Sequence, residues 1–141
     1  MARIESLMSA TSGFAALDGH KYLSLETFKK SGEGVRTPIW FAADPSAKLD
    51  SSAARLYVYT VGNTGKVKRI RNIPRVRIAP CDMRGKLLGE WIDAAARIVT
   101  GEEAAQGVRL LNKKYFPWKQ ILAFFALFSR QPRIVIALTP A

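Results

Sequence analysis

The chain has 141 residues, 48% of them hydrophobic and 23% charged, which suits a single domain over residues 1–141 and excludes a disordered chain or two separate cores. Lysine and arginine number 22 against 11 acids, a formal charge of +11, so the surface field favours an anion: nucleic acid, an acidic membrane or a phosphorylated small molecule. One cysteine, Cys81, and one histidine, His20, exclude an intramolecular disulfide and a closed structural zinc site.

The longest apolar run extends only from Ile121 to Phe128, far short of the ~20 residues of a membrane-spanning helix. Arg3 and Glu5 are followed by Leu7 and Met8 rather than by an apolar export segment. A cytoplasmic protein without metal is expected.

In chain order, Thr11 to His20 reads as one short helix with Ser12 as its N-cap and Asp18-Gly19 as its stop. Lys21 to Phe28 alternates loosely, and Lys29 to Gly34 supplies turn chemistry, so a strand enters a hairpin. Val35 to Ala43 is β-branched and aromatic, but Pro38 cannot donate a ladder hydrogen bond. That strand must lie at an edge or bulge there, freeing backbone groups. Asp44 to Ser52 reads as a surface loop and Arg55 to Thr60 as the next strand. From Gly65 to Ile73, Val67, Ile70 and Ile73 recur every third residue among Lys66, Lys68, Arg69 and Arg71, the pattern of a short basic helix closed by Pro74. Arg75 to Cys81 and Glu90 to Thr100 read as paired strands turning at Asp82 to Gly85. Gly101 opens a helix with Glu102 and Glu103 where the dipole favours acids, and it runs to Tyr115. Pro117 starts a second helix, Trp118 to Phe128, whose nearly all-round apolarity fits either an ordinary core or a subunit interface. Arg133 to Leu138, ended by Pro140, is a last central strand. About six strands joined by hairpins point to an antiparallel, barrel-like sheet.

Side chains for acid-base or nucleophilic catalysis are scarce. His20 stands alone, no Gly-x-Ser-x-Gly lies near a base, and no carboxylate pair shares an obvious face. If the chain is an enzyme, a cofactor supplies the reactivity. The stretch Tyr59 to Arg71 carries a strand end into a glycine turn and then a helix start beside cations, which suits a phosphate without P-loop spacing. A plainly solvated basic helix face is the competing reading.

Thr37-Pro38-Ile39-Trp40-Phe41, then Gly65-Lys66-Val67-Lys68-Arg69-Ile70-Arg71, then Pro74-Arg75-Val76 form an ordered series. It resembles the split-barrel flavin-binding proteins related to pyridoxamine 5'-phosphate oxidase. More narrowly it is similar to the branch whose members are assigned the deazaflavin coenzyme F420, with Ala79-Pro80-Cys81-Asp82-Met83-Arg84-Gly85 as a subgroup signature. The resemblance implies a mainly β (α+β) fold, a six-stranded antiparallel split β-barrel with short flanking helices. It also implies a homodimer with two cofactor sites at the subunit interface. By position, Lys66 and Thr60 match cofactor-phosphate positions, with Lys68 and Arg69 beside them. Thr37, Pro38 and Ile39 match the segment along the ring system. Trp91 and Arg97 are expected to reach the site from the partner subunit, and Cys81 could approach the ring. Pyridoxamine 5'-phosphate oxidase itself is longer and has a C-terminal substrate-binding segment absent here, so that oxidation is not the expected activity. The stretches Asp44 to Ala54 and Phe116 to Phe128 are long for the family and could cover a substrate.

The resulting expectation is a flavin- or deazaflavin-dependent oxidoreductase that passes hydride or electrons between coenzyme F420 or FMN and a small organic substrate. The alternative is a non-catalytic flavin or haem carrier. Nucleic acid is not expected as a partner, since Tyr57 and Tyr59 are the only weak stacking candidates on a strand.

Overall fold

The computed structural model describes residues 13–61, 65–114 and 133–141. A 3-10 turn, Ala15–Leu17, replaces the helix predicted over Thr11 to His20. Gly13 at φ 38° and Gly19 at φ 79° flank it, and left-handed backbone on both sides leaves no room for a longer helix. Phe14 and Leu17 still reach the core. The predicted N-cap Ser12 lies outside the described residues.

Strands β1 (Tyr22–Phe28) and β2 (Gly34–Trp40) form the first hairpin, with Tyr22 opposite Trp40 and Phe28 opposite Gly34. They are followed by β3 (Ala42–Ala43), β4 (Leu56–Val61), helix α1 (Gly65–Asn72) and β5 (Arg75–Cys81). Strand β6 (Ile92–Val99), helix α2 (Gly101–Lys114) and β7 (Arg133–Pro140) complete the described chain. The second helix predicted over Trp118 to Phe128 lies outside the described residues.

All strands join one antiparallel sheet in the order β2-β1-β5-β6-β7-β4-β3. The seventh strand arises because the predicted strand Val35 to Ala43 is cut into β2 and β3. The cut falls at Phe41, not at Pro38. Pro38 stays in the ladder opposite Ser24, and β2 is an edge strand, where a residue without an N–H is tolerated. Since β2 and β3 occupy opposite edges yet only Phe41 separates them, the sheet must curl until its edges meet along a seam.

Period-two alternation then sorts the side chains. Leu23, Leu25, Leu56, Val58, Val76, Ile78, Ala94, Ala96, Ile136 and Leu138 point into the barrel, and Ile70 of α1 adds to the same core. Helix α2 lies outside, its Ala104, Val108 and Leu110 against Tyr57, Val99, Val135 and Ala137. Glu103 in its first turn fixes it, accepting from Arg55 at 3.1 Å, from the Tyr57 hydroxyl at 3.0 Å and from Arg97 at 2.8 and 2.7 Å.

On the outer face of the β2-β1-β5 half, Glu26 is buried and accepts from Arg36 Nε at 2.9 Å and Arg77 Nε at 2.6 Å. Gly34 makes room for it: a Cβ there would stand 2.5 Å from Glu26 Oε2. Both arginines pin that carboxylate, so it has little freedom to retreat. Gly34→Ala is expected to lower stability by about 1–3 kcal/mol, measured by denaturant unfolding, and an unchanged midpoint would show that the carboxylate shifts at no cost.

Candidate functional site

Where the sheet edges approach each other, a cleft of about 270 Å³ opens, lined by Tyr22, Pro38, Ile39, Trp40 and Tyr59. Its walls follow from register and parity. Pro38 and Trp40 are two apart on β2 and so share a face, and Tyr22 is the register partner of Trp40. The Tyr22 and Trp40 rings stand 6.2 Å apart at an interplanar angle of 50°. Tyr59 of β4 and Leu110 and Leu111 of α2 pack with Trp40 and Ala42. The volume lies just under the ~300 Å³ at the lower end of ligand pockets, and aromatic walls suit a planar ring better than a whole dinucleotide.

One residue beyond Tyr59, Thr60 is buried, and α1 begins at Gly65. The helix carries four cations, Lys66, Lys68, Arg69 and Arg71, and no acid in its first turn. Arg69 folds back. Its Nε donates to the buried Thr27 Oγ1 at 2.6 Å, and a Cβ on Gly65 would stand 2.5 Å from its Nη1. Its guanidinium therefore covers the helix N-terminus. Lys66 is half-buried, and burial first, then the Arg69 charge, pulls its ammonium below the ordinary lysine value. Among the described residues no acid pairs with Lys66. Two cations at the start of a helix, with no acid in its first turn, favour an anion there. Lys68 is exposed.

The other expected site residues are dispersed. Pro38 and Ile39 line the cleft, whereas Thr37, half-buried opposite Leu25, does not. Trp91 lies on the outer face, with the Arg36 guanidinium 4.7 Å and that of Arg77 5.0 Å from its ring centroid. Arg97 forms a two-pronged pair with Glu103 within the subunit. Cys81 is buried, and burial, then Asp82, raises its thiol, which stays protonated at neutral pH. His20 is half-buried. Among the described residues no group of three or more His, Cys, Asp or Glu is placed to hold a metal, and no helix is long and apolar enough to cross a membrane.

Sequence reasoning missed three cleft walls. Trp40 shares strand parity with Pro38, a signal that was available. Tyr22 needed the hairpin register, and Tyr59 needed the seam.

No family model matches the sequence, and no curated protein does. The fold does have counterparts. The haem storage protein HutZ of Vibrio cholerae superposes with a TM-score of 0.64 at 15% identity, over 90% of this chain and 86% of that one. A candidate pyridoxamine 5'-phosphate oxidase of Listeria innocua gives 0.58 at 15% identity, over 99% and 94%. An FAD-binding protein of Mesorhizobium loti gives 0.54 at 14%, over 90% and 86%. The chain therefore has the split-barrel fold of pyridoxamine 5'-phosphate oxidase-like proteins. Neighbours at this identity share architecture while binding different groups.

Proposed function

We propose that this chain is a single-domain, cytoplasmic, homodimeric oxidoreductase that holds FMN or coenzyme F420 and serves a small organic substrate. The observation that supports this most is Lys66: a half-buried cation, lowered by burial and crowded by Arg69, with no acid beside it among the described residues. The residues present fit such a group. Lys66, with Thr60 and Lys68, would hold the phosphate. Arg69 would add charge through the guanidinium edge that Thr27 leaves unused. Pro38, Ile39, Tyr22, Trp40 and Tyr59 would border the ring, and Trp91 would complete the site from the partner subunit.

When bound, the flavin or deazaflavin supplies hydride or electron transfer. The protein's part is placement. The cleft aromatics exclude water on their side of the ring, and the cations neutralise the anionic tail. Among the described residues that line the cleft, the polar side-chain groups are the Tyr22 and Tyr59 hydroxyls and the Trp40 indole N–H.

A second reading, a haem carrier, takes support from the likeness to HutZ and from those two phenols, which are possible iron ligands. Parallel calorimetric titration of the protein with FMN, F420 and haem separates the readings. Saturable binding of FMN or F420 is expected. Haem binding with no response to either flavin-type cofactor would replace the first reading with the second.

A further inference from the structure

Lys114, the last residue of α2, reaches across the seam. Its Nζ donates to the His20 carbonyl at 3.0 Å and the Phe41 carbonyl at 2.9 Å, and it lies 3.6 Å from the centroid of the Phe41 ring. These partners come from two segments that flank the cleft. Phe41 joins β2 to β3 and directly follows Trp40, while His20 stands two residues before Tyr22. Tyr22 and Trp40 are ladder partners on one side of the cleft, and Tyr59 of β4, which packs with α2, lies across the seam from them. Hydrogen bonds from an ammonium to main-chain oxygen are about twice as strong as neutral ones, and the aromatic face adds a cation–π attraction. Burial lowers the ammonium to about 8, with Asp18 acting in the opposite direction. The side chain as a whole stays exposed, and two carbonyls and a ring replace part of the hydration of its ammonium.

We propose that Lys114 is a positioning residue: by latching the end of α2 to the His20 and Phe41 main chain, it fixes the spacing between the Tyr22–Trp40 side and Tyr59 across the seam, and with it the width of the cleft. As a statement about ligand binding, this rests on the reading of the cleft as a ring site. As a statement about geometry it stands alone. The neighbouring Lys113 is equally exposed but, among the described residues, donates to neither carbonyl, so it provides a control on the same helical turn.

The test uses the full chain labelled with fluorotryptophan, the fluorine signals of Trp40 and Trp91 being assigned with Trp40→Phe and Trp91→Phe. FMN and F420 affinities are measured alongside. Lys114→Met keeps the aliphatic stem and removes the donors. It should shift the Trp40 signal, leave that of Trp91 in place, and weaken binding of the accepted cofactor about tenfold. Lys114→Arg, which can still donate to both carbonyls, should recover most of both effects, and Lys113→Met should show neither. An unmoved Trp40 signal in Lys114→Met, or a moved signal with cofactor affinity unchanged, would overturn the proposal. If the unsubstituted protein binds neither FMN nor F420, the ring reading fails, and the Trp40 signal alone then decides whether the latch exists.

Discussion

Lys66→Ala should weaken binding of FMN or F420 by about 10- to 100-fold, the ~1.5–3 kcal/mol carried by a hydrogen bond to a charged group, with no loss of thermal stability. The two halves of this expectation come from the same environment. Lys66 is half-buried and lowered by burial and by Arg69, so in the absence of a ligand its charge is a burden on the fold. Removing it relieves that burden while deleting the contact an anionic tail would use. Loss of an ordinary solvated lysine would also leave stability within a few tenths of a kcal/mol, but it would leave affinity unchanged too, so the affinity distinguishes the two. Rising salt should also weaken cofactor binding in the parent, because the Lys66, Lys68 and Arg69 field is screened over about 10 Å at 0.1 M. The slope should be shallower in Lys66→Ala. Calorimetry across a salt series measures both, and equal affinity in mutant and parent would remove Lys66 from the site.

Glu26→Gln is expected to lower stability by about 1–3 kcal/mol. Breaking a fully buried ion pair typically costs ~3–5 kcal/mol, but here the side chains of Arg36 and Arg77 are 56% and 34% exposed, so solvent screens part of the interaction. The same carboxylate sets an acid limit. Burial alone would raise its pKa, but hydrogen bonds and charge from Arg36 and Arg77 outweigh burial and hold it below the ordinary value. Glu103 is likewise held low, chiefly by Arg97. Carboxyls lowered on folding contribute stability in full above the unfolded value of ~4.3, and that contribution disappears as the pH falls through the folded values. Stability should therefore fall steeply below about pH 4–5, and the fall should be shallower in Glu26→Gln. Denaturant unfolding between neutral and acid pH tests this, and parallel acid limbs in parent and variant would contradict it.

Much of the architecture was legible because it follows from local patterns. The alternation in Arg75 to Cys81, the basic three-residue period of α1 and the acids opening α2 each correspond to an observed element. The paired strands β5 and β6 and the interior position of β7 were legible as well. Non-local geometry was not. Pro38 signalled an interruption, yet an edge strand absorbs a proline, and the chain breaks at Phe41, where it must pass from one sheet edge to the other. The same crossing creates the cleft, so Pro38 and Ile39 were recognisable from the sequence while Tyr22 and Tyr59 were not. Arg69 looked like one more cation on the helix. Only the fold brings Thr27 of β1 beneath it, and that contact distinguishes a guanidinium anchored to the barrel from the freely exposed Lys68.

The most direct measurement is a structure of the protein grown with FMN or F420. The phosphate is expected in contact with the Lys66 ammonium at the start of α1, and the ring system against Pro38, Trp40 and Tyr59. A phosphate bound away from α1, or a ring outside the seam cleft, would contradict that expectation.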